Sequence, residues 1–571
     1  MRFRWNVLSS PPEQVSLLAE QLGVSSLVAH LLIQRGFANP DQALTFLNPK
    51  LEDLHDPYLM KGMSQVVERI LCARDRKEKV LIYGDYDVDG ITSIVILKRA
   101  FEMLGIPAEY HLPHRLQEGY GISRKVLKRA HTDGCSLVIS VDNGMRAFEA
   151  AEVARKLGMD FIITDHHLPD QSLPDVLAIL NPQQADCSYP EKNLAAVGVV
   201  FKLIQALFRG TSRENVLQHF LKMVAVGTVA DAVPITGENR VIVKFGLEGL
   251  SNPHNLGLQV LLQETGITEK VSPSDIAFKL APRINAVTRM GGGREVVDLF
   301  SVREKSQAQA IVREMNEKNL LRRREEQRIL EEIEKKLSKD CDIEKKKFLV
   351  VAGQNWHRGV IGIVAARLAE KFYRPTLVVS IGEENCQGSG RSIPGFNLVE
   401  ALDDCSDMFV QYGGHPQAVG CTLKLKGNGI ESIAELARRL DVFASKRLSD
   451  DQLVPSLPIE GVLPPEKVSS LLYDQIQQLA PFGKGNSVPV FASQKMNITG
   501  GPWVLKTHHL KLKVQCNGSQ VDAIWWKNGN FADTIGDASQ VDLAYTMERD
   551  RYKGQEKLLL GIQDLDLPGS T

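Results

Sequence analysis

KVLIYGDYDVDGITSIVILKRAFEMLG, Lys79–Gly105, is the stretch whose reading decides the fold class. Its first part, KVLIYGD, is a short apolar run that ends in carboxylates. The remainder, ITSIVILKRAFEMLG, has the length of a helix and closes on Gly105. The same alternation continues downstream. SLVISVDNG is another apolar run with an acidic end, RAFEAAEVARKLG is helical, and DFIITDHH and VLAILNP are two further runs. Short apolar strands separated by helices predict an α/β domain built on a mostly parallel sheet. Asp85, Asp87, Asp142, Asp165 and His166 all fall at or just past the carboxyl ends of these predicted strands. That edge is where open α/β sheets bind ligands.

GDYDVDG, Gly84–Gly90, also matches the opening of an EF-hand loop, D-x-D-x-D-G. The match does not extend. Counting Asp85 as position one, position twelve is Ile96, where a calcium loop needs a bidentate glutamate. An EF-hand loop follows a helix, whereas KVLIY reads as a strand. The bland alternative is a solvated surface turn. Two features oppose it. In an extended segment alternate side chains share a face, so Asp85, Asp87 and Asp89 are expected to point the same way. Three like charges so close are costly unless a cation sits among them. Potential ligands then recur on other strand ends: Asp142 in SVDNG, Asp165-His166-His167 in TDHH, and Asp231 in GTVADAVP. Carboxylates with one imidazole suit manganese or magnesium, not a thiolate-selected metal. A shared carboxylate can hold two such ions roughly 3.5–4 Å apart, an arrangement suited to phosphodiester cleavage.

The rest of the chain divides by pattern. With 571 residues, roughly three or four domains are expected. Residues 1–50 read as short helices, and SPPEQVSLLAEQLG suggests a capping box from Ser10 to Glu13. Residues 51–300 hold the α/β pattern. Residues 301–346 lack glycine and proline and read as a long, mostly solvated linking helix, in which Arg322-Arg323-Arg324 reads as a solvated face. Residues 347–450 form a second, smaller α/β block: KFLVVAG and PTLVVS as strands, GVIGIVAARLAEKF as a helix, and a glycine-rich tail. Residues 455–571 alternate in short runs, as a small antiparallel β-barrel of OB-fold size would.

Composition bounds the function classes. At 43% hydrophobic and 24% charged, the chain reads as a soluble globular protein. A net charge of −1 provides no global basic field, so a polyanion must be held by a local patch. The eight cysteines, Cys72, Cys135, Cys187, Cys341, Cys386, Cys405, Cys421 and Cys516, include no C-x-x-C pair and read as reduced thiols. No apolar stretch reads as a signal peptide or a bilayer span, so a cytoplasmic protein with no membrane partner is expected.

The ordered set DYDVDG, VDNG, TDHH and GTVADAVP resembles the DHH phosphoesterase superfamily. The set RINAVTRMGGG, NWHRGVIGIVAARL, GSGRSIPGFNL and GGHPQAVG narrows the resemblance to its RecJ family, from about residue 50 to the C-terminus. The resemblance implies a DHH domain, a DHH-associated domain and a C-terminal OB-fold. It implies a 5′→3′ exonuclease that degrades single-stranded DNA to 5′ mononucleotides with two Mn2+ or Mg2+ ions, in repair and recombination. Metal ligands are then Asp87, Asp89, Asp142, His166 and Asp231, with Asp142 bridging. Asp85 is a ligand or a base, His167 faces the scissile phosphate, and Asp165 orients a histidine or the loop. Nucleic acid is expected at Arg115, Arg283, Asn285, Arg289, Ser389, Arg391, Gly413, Gly414 and His415. Trp503, Trp525, Trp526, His508 and His509 are further candidates, and alternation puts only one of the adjacent tryptophans outside. Implied partners are single-stranded DNA, a single-strand-binding protein and a helicase, with the enzyme a monomer. Two alternatives remain: a DHH phosphodiesterase of oligoribonucleotides or cyclic dinucleotides, and a non-catalytic scaffold that has lost acidic ligands. The chain departs from the family pattern at Val287 and Thr288, which replace two small residues; a local change of backbone is expected there.

Overall fold

Lys79–Tyr83 is a strand whose last four residues are buried, and Val88–Leu104 is the helix that follows it. They belong to a five-stranded parallel sheet in the spatial order Ala108–His111, Lys79–Tyr83, Cys135–Val141, Asp160–Thr164 and Ala178–Leu180. Apolar residues on both faces account for the near-continuous hydrophobic runs that mark these strands in the sequence. Ala108–His111 has no such run: AEYH is only half-buried at the sheet edge, and the apolar pattern does not announce it. The computed structural model describes residues 3–567 apart from 116–117, 119–120, 268–269, 339–342, 383–384, 425–428, 507 and 553–554. Cys341 lies outside the described residues, and the seven described cysteines are free thiols.

A 33-residue helix, Lys305–Leu337, follows the parallel-sheet region. One stripe of it is buried, including Val312, Met315, Ile329 and Ile333. Ile329 and Ile333 pack with Trp356, Val360, Val364 and Leu368 in one core, and the indole Nε1 of Trp356 donates to Glu332 at 2.9 Å. Arg322 differs from the solvated residue expected. Its guanidinium donates to Glu326, itself 2% exposed, and to Asn319, and Glu326 also pairs with Arg367. Arg322 therefore sits on the buried stripe of the helix.

The second α/β block is a five-stranded mixed sheet in the order Phe409–His415, Ala418–Leu423, Cys386–Arg391, Thr376–Ile381 and Leu349–Gln354, covered by Arg358–Phe372. The expected glycine-rich tail is thus three strands. Its glycines hide the strand pattern, and two of them sit where facing side chains leave no room: a Cβ on Gly388 would meet Cys421 Sγ at 2.6 Å, and one on Gly390 a methyl of Val419 at 2.7 Å.

The C-terminal strands close a barrel from Val490–Leu505, His509–Cys516, Ser519–Trp525, Gln555–Asp566 and Gln540–Tyr552, with Val490–Leu505 pairing back to Gln540–Tyr552. The barrel is not purely antiparallel. Ser519–Trp525 runs parallel to Gln555–Asp566, which is how the last strand completes the closure.

The chain divides into two compact units. One comprises Pro57–Asp231 and Gly246–Pro455; the other comprises the residues up to Asp56, Ala232–Phe245 and the residues from Ser456 onward. The first fifty residues therefore do not form a segment of their own. Arg4–Val7 pairs in parallel with Ser456–Ile459, and the helices Pro12–Leu22, Ser26–Gln34 and Pro40–Leu47 share a core with the barrel. The expected capping box is absent, since Pro11 is the N-cap and no side chain caps the helix. Among the described residues no single helix is long and apolar enough to cross a membrane.

Candidate metal centre

The turn after Lys79–Tyr83 sets the first carboxylates. Asp85 leaves the strand, and Asp87 caps the helix Val88–Leu104 by accepting from Asp89 N (2.9 Å) and Gly90 N (3.1 Å). Asp89 lies inside the first helical turn. The three aspartates are thus not one face of an extended segment, as alternation suggested; a strand end, a cap and a helical turn bring them round. Gly90 permits the turn, because a Cβ there would strike the backbone of Asp85.

The aspartates also divide between groups. Ligand atoms of Asp85, Asp87 and Asp142 lie within 4.8 Å of one another, as do those of Asp89, His166 and Asp231, and those of Asp142, His166 and His167. Asp142 and His166 each belong to two groups. Asp142 reaches its place with φ +64°, a left-handed conformation rare outside glycine, asparagine and aspartate. Asp231 stands at the C-cap of the helix Leu217–Ala230, not at the strand end the sequence suggested, because its apolar run LKMVAVGTVA is helical.

The donor set fits a divalent cation. His166 Nε2 lies 3.4 Å from Asp142 Oδ1, 3.7 Å from Asp231 Oδ2 and 3.9 Å from Asp89 Oδ2, and among the described residues no hydrogen bond satisfies it. Asp85 Oδ1 is likewise buried without a partner. Burial and mutual repulsion push these carboxyls up: Asp85, by burial and Asp87, to about 8, and Asp89 and Asp142 well above the usual range. Burial and the neighbouring His167 pull His166 down to about 4, which leaves its imidazole neutral, the form that binds a metal. The carboxylates and His166 fit hard divalent cations, and Asp142 is shared between two of the groups.

Asp165 takes no part in those groups. Its Oδ1 accepts from the backbone N–H of His166 (2.7 Å) and His167 (3.1 Å) and bonds His167 Nδ1 (2.7 Å), while Oδ2 accepts from Met145 N (3.1 Å). Burial opposes charge on His167, but the bond to Asp165 together with the negative charges of Asp165, Asp231 and Asp85 outweighs it, and the ring is pushed up to about 9.

The second α/β block supplies the facing wall. The ring of His415, at the end of Phe409–His415, lies 6.2 Å from that of His167, at 10° between planes. Gly413 and Gly414 precede it and are exposed. Arg289 donates to the Gly359 carbonyl at 3.0 Å; burial together with Arg115, Arg391 and Arg322 pulls its pKa down to about 9. Arg115 lies over the Tyr86 ring at 4.5 Å, and Arg391 approaches Ser389 Oγ at 3.4 Å. Asn285 is one helical turn from Arg289 and keeps a buried Oδ1 without a partner. Arg283 is not brought to this group. It donates to Asn316 Oδ1 (2.7 Å) on the linking helix and to the Lys279 carbonyl (2.6 Å). Val287 and Thr288 are buried within the helix Ala281–Arg289, so the altered motif needs no left-handed residue; Thr288 Oγ1 donates to the Asn285 carbonyl.

Sequence reasoning missed the amides that tie the loops together. Asn143 Nδ2 donates to the Gly84 carbonyl (2.9 Å), Asn181 Nδ2 to that of His167 (2.8 Å) and Gln183 Nε2 to that of His166 (2.7 Å). Amides bonded to distant carbonyls leave no periodicity or spacing to read.

Comparison with known proteins agrees with this architecture. Residues 79–228 match the DHH family N-terminal domain, 345–445 the DHHA1 domain and 459–564 the RecJ OB domain. The chain is 35% identical to the single-stranded-DNA-specific exonuclease RecJ of Bacillus subtilis (strain 168), over 99% of this chain and 71% of that protein. It is 30% identical to the protein of the same name from Escherichia coli (strain K12), over 89% of this chain and 90% of that one. The crystal structure of RecJ in complex with Mn2+ from Thermus thermophilus superposes with a TM-score of 0.84 at 27% identity, covering 99% of this chain and 80% of that one. With all three domains matched in order and 35% identity over nearly the whole chain, the protein belongs to the RecJ family of DHH phosphoesterases.

Proposed function

We infer that the chain is a metal-dependent exonuclease of single-stranded DNA that works 5′→3′ and releases 5′ mononucleotides. The observation that carries this reading is the convergence of Asp89, Asp142 and Asp231 on His166, whose Nε2 has no hydrogen-bond partner among the described residues, with Asp85 and Asp87 grouped beside Asp142, in a chain of the RecJ family. Mn2+ or Mg2+ held by Asp87, Asp89, Asp142, His166 and Asp231 supplies charge neutralisation at the phosphate and an acidified water when bound.

The protein's own groups do the rest. His167, charged and held at Nδ1 by Asp165, donates to an oxygen of the scissile phosphate. Asp85 keeps a buried oxygen without a partner and a raised pKa, which suits it to take the proton of the attacking water. Arg115, Arg289, Arg391 and Ser389 bind the phosphate at the strand's 5′ end, where arginine offers forked donors. Asn285, Gly413, Gly414 and His415 contact the chain beside it. Trp503, His508, His509 and Trp526 on the barrel guide the incoming strand; Trp503 and Trp526 are 44% and 49% exposed. Protein partners in this reading are a single-strand-binding protein and a helicase, the enzyme is a cytoplasmic monomer, and its task is repair and recombination. The C-terminal barrel favours long strands over dinucleotides as substrates.

The test is digestion of 5′- and 3′-labelled single strands with Mn2+, Mg2+ or EDTA. The 5′ label should leave first as mononucleotide, only with metal, and duplex should resist. Release from the 3′ end first, or digestion confined to dinucleotides, overturns the reading.

A further inference from the structure

The segment Asn181–Val197 supplies none of the ligand atoms, yet it touches the site at five places. Gln183 Nε2 donates to the carbonyl of His166 at 2.7 Å and Asn181 Nδ2 to that of His167 at 2.8 Å. Ala196 N and Val197 N donate to the two carboxylate oxygens of Asp89 at 2.7 and 2.8 Å. The ring of His166 bonds the Leu194 backbone, which leaves Nε2 turned to the three aspartates. The segment is itself tied: Asn181 Oδ1 accepts from Gln183 N (2.8 Å), Gln184 Nε2 donates to the Ile179 carbonyl (2.9 Å), and Lys192 Nζ donates to the carbonyls of Pro182 (2.9 Å) and Cys187 (2.6 Å).

We propose that Gln183 and Asn181 are positioning residues, through which this loop sets the affinity of the centre for divalent cations and the alignment of the two histidines. The dipeptide His166-His167 is gripped on both sides of its backbone. Asp165 takes its two N–H groups, and Gln183 and Asn181 take its two carbonyls. Strand Asp160–Thr164 ends one residue before Asp165, so beyond it these side chains replace the sheet ladder as the backbone's partners. Partners beyond the ligands that fix their orientation typically change metal affinity or activity 10–100-fold. Gln183 bears on the ligand His166, and Asn181 on His167. The inference rests on the metal-site reading of the aspartates.

The test compares full-length wild type with Gln183→Met and Gln183→Glu by Mn2+ titration, with free Mn2+ read by electron paramagnetic resonance, and by melting of the metal-free proteins. Gln183 is half-buried, so both variants are suited to folding. Methionine keeps the side-chain length and loses the donor. Glutamate loses the donor and adds a negative charge near the cations. Both variants should weaken Mn2+ binding about tenfold or more, with the metal-free melting temperature unchanged. Unchanged Mn2+ affinity in Gln183→Met overturns the proposal. So does tighter binding by Gln183→Glu, since charge alone would then govern. A fall in metal-free melting temperature that accompanies the affinity loss in both variants also overturns it, by making Gln183 a structural residue only. Asp142→Asn is the control for the underlying reading: if it binds Mn2+ like wild type, the metal site itself is misassigned, whatever Gln183 does.

Discussion

Asp142 carries two costs in the metal-free protein. Its carboxyl is buried among Asp85, Asp87, Asp89 and Asp231, which push its pKa well up, and its backbone holds φ +64°. Asparagine removes the charge and tolerates the left-handed region nearly as well as aspartate. Asp142→Asn should therefore raise the metal-free melting temperature while lowering Mn2+-dependent nuclease activity by more than about a hundredfold, beyond what loss of an outer partner costs. Alanine should abolish activity equally but melt below asparagine, because left-handed backbone costs it roughly 1–2 kcal/mol. Thermal melts with and without Mn2+, beside a nuclease assay, check both; a metal-free melting temperature lowered by asparagine would mean that the carboxylate repulsion is not felt. The aspartates and histidines were legible in the sequence because each sits in a short motif, at a strand end or, for Asp231, at the end of a helix. Asn143, Asn181 and Gln183 were not, since their partners are carbonyls distant in the chain.

Among the elements, the end of strand Ser519–Trp525 separates packing from contact within one dipeptide. Trp525 is 8% exposed and lies 4.7 Å from the Phe531 ring, whereas Trp526 is 49% exposed, with His509 at 5.0 Å. Period-two alternation anticipated this split without saying which ring was which. Trp525→Ala should cost about 3–5 kcal/mol of barrel stability by opening a core cavity. Trp526→Ala should leave the denaturant midpoint of the barrel nearly unchanged and weaken binding of a single strand by about 1–3 kcal/mol, the worth of one stacked base. Equilibrium unfolding and fluorescence anisotropy with labelled oligonucleotide measure the two; equal effects of both variants on binding at constant stability would remove Trp526 as a platform. Other elements were less legible for identifiable reasons. Cys386–Arg391 hides its strand character in Gly388 and Gly390, which facing side chains require, and Phe409–His415 in Gly413 and in Gly414, which the backbone of Ala418 and Val419 crowds. The linking helix was read as solvated because its buried stripe uses Asn319, Glu326 and Arg322 beside its apolar residues.

For the molecule as a whole, the least legible feature is which distant segments fold together. Nothing local in RWNV says that Arg4–Val7 will pair with Ser456–Ile459, or that His30 will bond the Glu460 backbone at 2.9 Å. Leu18, Val28, Leu31, Leu32 and Phe46 share one core with Phe491, Leu510, Leu512, Val541 and Leu560. Arg240, from the stretch Ala232–Phe245, completes this unit. Its guanidinium stacks on Phe46 at 3.8 Å and donates to the carbonyls of Phe46 (2.6 Å), Pro481 (3.2 Å) and Ala480 (2.8 Å), and burial with Arg35 nearby pulls its pKa down to about 9. A chain that ends at Pro455 keeps the metal-site residues but strips this unit of its barrel. Each large apolar side chain returned to water costs roughly 1.5–3 kcal/mol, and Arg240 loses two of its three carbonyl acceptors. Such a chain should expose an apolar patch, bind anilinonaphthalene sulfonate and associate, although the parallel sheet and the ligand residues are all retained. Dye binding and light scattering, set against the full chain, measure this. A truncated chain that stays monomeric, binds no dye and melts as the full chain does would show that the first fifty residues need no barrel, and that the core shared by the two ends of the sequence contributes little to stability.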